Sequence, residues 1–560
     1  MAASTGNPVK RIFGLLKFQK REISAIYFYA IFGGIVQLTL PLGTQSIINF
    51  VMGGFISTSL VILIAAVVGG VFVYGLLQIN QMKLIEKIEQ QIFVRNSMEF
   101  TYVLPRLNLQ SVDSYYLPEL VNRFFDTITL QKSLAKILLD IPTATIQIIF
   151  GLILLSFYHP AFIFFGLALV VVLYLILRFS GERGLQTSLM ESDYKYKVAS
   201  WLEELARTVT TFKFSKGTPV HLQKSDEFVS KYLDSKTAHF KVLLFQYWTL
   251  TLFKVLITAS LFIVGSILLV EQQINIGQFI GAELVILTVV TSVEKLIVNL
   301  DKVYEVLVSV EKLAKVTDKP LELDGEMMLE VNTGGVAVKV NELSFTYPDG
   351  RTAIKDVSFE LAEGGVMTIK GNNSSGKSTL LRVLTGAYQP FGGSININRI
   401  AIGNFDLSSL RSQTGIMLSK QDIFEGTLLE NIAMGNPHVD MQEISLLCSL
   451  TGLSDFIESD QMGFGRMLYP TGKKLPKGVV SKILLVRALS GHPKLLLLEE
   501  PWMEFEEDDA QRVKDYLLNH PDRPTILVVT EDASFANGSN LILELAEGSV
   551  IHLTEKGKSS

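Results

Sequence analysis

The run Gly371-Asn372-Asn373-Ser374-Ser375-Gly376-Lys377-Ser378-Thr379 carries the most specific chemistry in the sequence. It fits G-x-x-x-x-G-K-[ST], a loop whose glycines let backbone N–H groups turn toward nucleotide phosphates. Lys377 adds a positive charge for the terminal phosphates, and the Ser378 hydroxyl is suited to hold Mg²⁺. Such a loop works between a strand and a helix. Val366–Lys370 reads as a buried strand before it, and Leu380–Leu384 opens a helix whose N-terminus faces the phosphates. With strand, loop and helix in order, chance is a poor explanation for the pattern, and the stretch predicts binding of ATP or GTP.

The rest of the chain must hold and use that loop. Its 560 residues exceed one ordinary domain. Hydrophobic residues make up 48% of it and its mean hydropathy is positive, a balance that points to membrane spans. The net charge of −5 gives no basic footprint, so no nucleic-acid partner is expected. The single cysteine, Cys448, excludes an intramolecular disulfide and a cysteine zinc cluster. It lies in the apolar run Ile444–Leu450 and reads as a small buried hydrophobe. The N-terminal charges lead into a long apolar region without a cleavage-type site, so no secretory signal is expected.

Residues 9–22 mix basic and apolar positions at helical spacing, which suits an interfacial helix over 1–22. From Ile23 to Met82 there is no charged residue, room for two spans at about 23–48 and 57–80 with a turn at Met52-Gly53-Gly54. A second uncharged run, Ile141–Leu177, holds two more and turns at His159-Pro160. Spans five and six follow at about 254–270 and 276–299. Lysine and arginine gather in the N-terminal segment, in 83–140, in 178–254 and after span six, and are missing from the three opposite turns. The positive-inside rule then puts both termini in the cytoplasm. The two long inner stretches predict helices that continue well below the membrane. Glu283 stands inside a span, where a carboxylate is costly and a functional candidate; the plainer reading has it snorkel outward or pair with a polar neighbour.

The fold class expected is a multi-domain membrane protein: a six-helix, all-α transmembrane domain over 23–316 with long cytoplasmic extensions, then an α/β nucleotide-binding domain over 336–560. Between them 317–335, with Pro320, Gly325 and Gly334-Gly335, reads as a linker. From Val336 short β-rich runs alternate with helical stretches, as an α/β domain built on a phosphate loop requires.

At this point the chain resembles an ABC exporter half-transporter over nearly its whole length, of the bacterial peptide- and toxin-secretion kind. Phe424-Glu425-Gly426-Thr427-Leu428 and Glu430-Asn431-Ile432 match that family's F-x-G-T-(I/L)-x-E-N-I stretch, and Gly393-Ser394-Ile395 and Leu410-Arg411 fall where its next strand and helix come. The resemblance implies that Tyr347, in Ser344-Phe345-Thr346-Tyr347, stacks on adenine. It also implies that Leu495–Leu498 with Glu499-Glu500-Pro501 is the Walker B strand, Glu499 serving Mg²⁺ and Glu500 polarising the attacking water. In-line phosphoryl transfer needs mainly positioning and charge neutralisation, which a lysine, Mg²⁺ and one carboxylate supply. The metal-contacting glutamine of the family has Gln421 as its nearest candidate here, while the spacing points to Ser419 or Lys420.

Several departures stand out. The family's L-S-G-G-Q signature is here Leu475-Pro476-Lys477-Gly478-Val479: Pro476 has no hydroxyl, and Lys477 brings a charge. Glu531 stands where the switch histidine belongs, and an ionised glutamate repels a γ-phosphate. Glu499 replaces an aspartate, Ser374 a frequent glycine, and Met503-Glu504-Phe505-Glu506 the D-loop. Residues that hold nucleotide are kept while those reaching across a dimer are altered. The expectation is therefore ATP binding with Mg²⁺ and weakened hydrolysis in an exporter of a peptide, protein or hydrophobic compound. The alternative is a regulatory subunit that binds ATP and hydrolyses little. The implied setting is the bacterial cytoplasmic membrane, and the implied partners are a second half-transporter, identical or different, and a periplasmic adaptor.

Overall fold

The computed structural model describes residues 8–555 apart from 18, 55–57, 114, 216, 218, 331–333, 420, 437–438 and 473. Lys420 thus lies outside the described residues, as do 1–7 of the interfacial segment, 331–333 of the linker and 556–560 of the last domain. Contacts divide the chain into two units, Met1–Pro105 with Tyr115–Lys319, and Arg106–Ser114 with Pro320–Ser560.

Among the described residues six helical stretches are long and apolar enough to cross a membrane: Lys20–Met52, Thr58–Arg106, Leu117–Tyr158, Pro160–Arg207, Val220–Val270 and Ile276–Thr317. The first is two helices, Lys20–Gln37 and Thr39–Met52, that meet at Leu38. Pro41 explains the break, because it has no N–H for the Gln37 carbonyl and its ring crowds that group. His159 is extended because Pro160 follows it, and that ends the helix Asp126–Tyr158. Asn275 and Gln278 form a reciprocal capping box that starts the last helix. Val220–Val270 has 51 residues. At 1.5 Å per residue it is about 77 Å long, more than twice the ~30 Å of a hydrocarbon core.

Several polar groups inside this bundle find partners. Gln147 donates to Gln37 and accepts from the Ser292 hydroxyl at 2.7 Å, and Lys254 pairs with Glu294 at 2.6 Å. That ion pair escaped the sequence reading, which singled out Glu283. Glu283 is half-buried and makes no ion pair among the described residues.

The second unit holds two main sheets. Strands β1 (Val338–Thr346), β2 (Thr352–Leu361), β4 (Gly392–Ile397) and β5 (Ile400–Ala401) form an antiparallel sheet in the order β2-β1-β4-β5. Strands β3 (Val366–Lys370), β6 (Thr414–Met417), β9 (Leu495–Glu499), β10 (Thr525–Val529), β11 (Leu541–Ala546) and β12 (Ser549–Glu555) form the other, in the order β12-β11-β3-β10-β9-β6. All but β12 run parallel in it. Strand β10 is buried at every position and Leu495–Leu498 are buried too, because one face shares a core with the antiparallel sheet and the helix Lys377–Leu384 and the other with helices such as Lys477–Leu489. A short ribbon pairs β7 (Gly426–Thr427) with β8 (Met467–Leu468).

Residues 320–330, within the stretch read as a linker, pack on this unit. Glu322 takes a forked pair of bonds from Arg411 at 2.7 and 2.8 Å, and the Gly325 and Met327 amides bond Phe405 and Asn404. The segment Arg106–Ser114 belongs to the same unit. Leu107 bridges Leu321, and Asn108 donates to the Pro320 carbonyl from its amide and to the Gln389 carbonyl from its side chain.

Candidate functional site

Four neighbouring parallel strands deliver the chemistry to one edge of the sheet. The phosphate loop leaves β3, Thr530-Glu531 leave β10, Glu499 ends β9 with Glu500 after it, and Leu418-Ser419 leave β6. Because β10 lies between β3 and β9, Glu531 emerges between the loop and the paired acids. Loops at the carboxyl ends of parallel strands are where α/β sheets bind ligands.

The loop's shape depends on its glycines. Gly371 and Gly376 have φ of 143° and 102°, and a Cβ on either would lie 2.1 and 2.4 Å from the carbonyl oxygens of Leu545 and Ala353. Ser374 is also left-handed, at φ 65°, which a side chain tolerates at some cost. Ser375 is buried, its amide bonding Asn372 and its carbonyl accepting from Gly548. The helix Lys377–Leu384 follows and buries Thr379, Leu380, Leu381, Val383 and Leu384.

A cavity of about 620 Å³ opens there, lined by every residue from Gly371 to Thr379, including Asn373, and by Tyr347, Glu499, Glu500 and Glu531. Lys377 donates to the carbonyls of Gly371 and Asn372, the latter at 2.9 Å. The Ser378 hydroxyl bonds Glu499, whose other oxygen accepts from the Ser419 amide at 2.9 Å. Gln421 does not join them: its Oε1 accepts from the Leu418 amide at 3.1 Å, capping its own turn. The loop from β6 therefore reaches the acids through the backbone of Ser419.

Glu500 is half-buried and left-handed, at φ 45°. Burial pushes its carboxyl above the usual carboxylate range, and the charges of Glu531 and Glu499 push the same way against Lys377 and a bond to Thr530. Glu531 accepts a hydrogen bond from the Gly371 amide at 3.1 Å. Next to it, Asp532 caps the helix Ala533–Gly538 through the Phe535 amide and pairs with Lys514.

Tyr347 is 6% exposed and its hydroxyl bonds Thr379 at 3.0 Å. Phe345 meets its ring edge-on at 5.0 Å, and the Arg351 guanidinium lies over it at 5.0 Å. Arg351 also lines the cavity and was missed in the sequence, where a lone arginine in a turn carries no signal.

Leu475–Val479 lie elsewhere in the unit, and none of them lines the cavity. The helix Lys477–Leu489 starts without a side-chain cap because Pro476 stands at the cap position. Pro476 and Lys477 are exposed, and Leu475 and Val479 pack on the apolar core. Gly478 runs close to the Glu504 carbonyl, 2.7 Å from where a Cβ would stand. The 424–432 stretch is a structural knot. Thr427 and Glu430 form a capping box, while the fully buried Asn431 accepts from the Phe424 amide and donates to the Phe424 and Thr427 carbonyls. Arg487 donates to the Asn431 carbonyl at 2.6 Å, a partner the sequence did not announce.

The donor set fits a nucleotide with a hard divalent cation. Ser378 and Glu499 bring two oxygens together beside Lys377, and no cluster of three metal-ligating side chains occurs among the described residues. A cation held by so few protein oxygens takes the rest of its shell from phosphates and water, as Mg²⁺ does.

Comparison with known proteins agrees with this layout. Residues 23–293 match the model of the ABC transporter transmembrane region, and residues 354–503 that of the ABC transporter. Lactococcin-A transport/processing ATP-binding protein LcnC of Lactococcus lactis subsp. lactis is 26% identical over 77% of this chain and 60% of its own length. Leukotoxin translocation ATP-binding protein LktB of Pasteurella haemolytica-like sp. (strain 5943B) is 25% identical over 63% of this chain and 50% of its own. The chain thus spans only half to three fifths of these relatives. In fold it is similar to a bacterial Atm1-family ABC exporter solved with ATP bound, with a TM-score of 0.84 over 96% of this chain and 95% of that one, at 19% identity. The chain belongs to the ABC transporters, with a transmembrane region and an ABC domain on one polypeptide.

Proposed function

We propose that the chain is a half-transporter of an ABC exporter in the bacterial cytoplasmic membrane, with both termini inside. In this reading it binds ATP with Mg²⁺ at the phosphate loop and hydrolyses it weakly. Lys377 and the loop amides hold the phosphates, Ser378 and Glu499 hold the cation, and Glu500 orients the attacking water. Mg²⁺ would neutralise charge on the terminal phosphates. The relatives' names, leukotoxin translocation and lactococcin-A transport, support a peptide or protein cargo, and a hydrophobic compound fits the same architecture. A second half-transporter and a periplasmic adaptor are the partners it calls for.

The contact of Glu531 with the Gly371 amide carries the weak-hydrolysis part. It puts a carboxylate, in place of a donor, at the mouth of the loop that receives phosphates. A charge there repels a γ-phosphate and disfavours the ionised, active form of Glu500. The purified chain in lipid nanodiscs is the test. ATP binding that Lys377→Ala abolishes, with turnover well below about 1 s⁻¹, supports the reading. Turnover of about 10 s⁻¹ or more, lost in Glu500→Gln, overturns it.

One observation favours a second reading, a regulatory subunit in a heterodimer. The helix that would face the opposite nucleotide starts at an uncapped Pro476. A site built on that helix would be the impaired one, while this chain's own loop could face an intact helix from its partner.

A further inference from the structure

A second cavity, of about 320 Å³, lies where four helices of the first unit meet: Asp126–Tyr158, Ile163–Arg207, Val220–Val270 and Ile276–Thr317. Small-molecule sites occupy about 300–1,000 Å³, so it is large enough for a ligand. Its lining residues fall outside all six spans read from the sequence, in the polar extensions of the helices.

Four carboxylates line it, and three are engaged. Asp126 is buried and accepts from the Tyr196 hydroxyl at 2.7 Å and from Lys195 at 3.4 Å. Asp301 meets the buried ring of His239 at 3.3 Å, and Glu305 accepts from Lys302 at 2.7 Å. Glu191 is half-buried and has neither an ion pair nor a side-chain hydrogen bond among the described residues. Ser188 and Ser192 share its helix face and line the same cavity. Ser192 is 7% exposed, and its hydroxyl has no partner. Leaving such groups unpaired is costly, and a ligand rich in donors relieves that cost. Lys236 also lines the cavity, but it is exposed and donates to the Tyr232 hydroxyl at 3.4 Å.

We propose that this cavity binds an aliphatic primary ammonium group. Its nitrogen sits among Glu191, Ser188 and Ser192, and its carbon stem runs along Phe240, Leu243 and Val308 of the same lining. An ammonium has three N–H donors and no acceptor, which matches one carboxylate and two hydroxyl oxygens. No three His, Cys, Asp or Glu side chains converge as metal ligands among the described residues, so an organic cation suits the cavity better than a bare divalent ion. The group can arrive on a free diamine or on a lysine side chain. The inference does not rest on the nucleotide site.

The test is calorimetric titration of the full chain in phosphatidylcholine nanodiscs, with empty nanodiscs as the blank. The probes are pentane-1,5-diamine, N-acetyl-lysine methylamide and pentan-1-ol, which has the stem without the charge. At least one amine is expected to bind saturably and the alcohol is not. Tighter binding of the diamine supports a free amine as the source, and tighter binding of the lysine amide supports a peptide side chain. Glu191→Gln keeps the shape and strands no partner, so it should weaken amine binding roughly tenfold or more, and Ser192→Ala about threefold. Thermal unfolding checks that both variants stay folded. No saturable amine binding by the folded chain, equal affinity for the alcohol, or an affinity within about twofold of wild type in Glu191→Gln overturns the proposal.

Discussion

The carboxylate of Glu531 accepts a hydrogen bond from the amide of Gly371 at 3.1 Å, tying the end of β10 to the first residue of the phosphate loop. The sequence placed a repelling charge at this position. The structure adds that the charge is anchored on the loop's own backbone and faces Glu500. An amide of the loop is thus occupied by a side chain of the same charge as phosphate.

Removing that charge while keeping the acceptor gives the first prediction. In Glu531→Gln the Gly371 contact can persist through the amide oxygen, and the Coulombic part of the upward push on Glu500 disappears. Glu500 must be ionised to act, so the acid limb of the pH profile for ATP hydrolysis should move to lower pH in the variant. Burial, the largest cause, remains, so part of the upward displacement stays. A limb that stays in place or moves up would show that Glu531 is not felt at Glu500.

Asp532 next to it should matter for stability. Burial alone would raise its carboxyl, but bonds from Lys514, Ser534 and the Phe535 amide hold it well below the usual range. A depressed carboxylate contributes stability above its unfolded value, near 3.9, and loses it as pH falls through the lower folded one. Asp532→Ala should cost about 1–2 kcal/mol near neutral pH, with the gap to wild type closing under strong acid. Thermal unfolding of both chains across pH measures this, and a pH-independent gap would contradict it.

Asn431 offers a larger effect away from the cavity. It is fully buried and its side chain serves one amide and two carbonyls. Asn431→Leu keeps the volume roughly but strands those groups, a loss of about 2–4 kcal/mol. Denaturation of the full chain should show it, whereas a loss under about 1 kcal/mol would mean that the loop relaxes to find other partners.

Much of this was legible in the residues. Charge-free runs marked the first four spans because a bilayer rejects charge over that length, and the phosphate loop needed only its glycines, lysine and hydroxyl in order. Strand β9 announced itself through four leucines closing on two acids. The ion pair of Lys254 with Glu294 and the packing of 320–330 did not show, because each depends on a partner far along the chain, whereas Pro41 stood in the sequence and the break it makes at Leu38 was passed over. The same holds for the site. Lys377, Ser378, Glu499 and Glu500 could be named in advance, while Arg351 gained its place only from the turn that lays it over Tyr347. Gln421 was chosen as a side-chain type near the right spacing, and the structure uses that side chain to cap its own turn.

Pro476 gives a prediction for the opposite end of the domain. The helix Lys477–Leu489 begins with no side-chain acceptor for its first amides. Pro476→Ser supplies one and should stabilise the chain by about 0.5–1 kcal/mol in thermal or denaturant unfolding. Destabilisation instead would show that the rigidity of proline at that position outweighs the missing cap.

The most direct measurement is the turnover of Glu531→His against wild type at saturating ATP, in the purified full chain in nanodiscs. A histidine there exchanges a repelling carboxylate for a donor toward the γ-phosphate. The expected result is a rise of roughly tenfold or more with ATP affinity little changed. A wild type already turning over at about 10 s⁻¹, with Glu531→His no faster, would contradict weakened hydrolysis through Glu531.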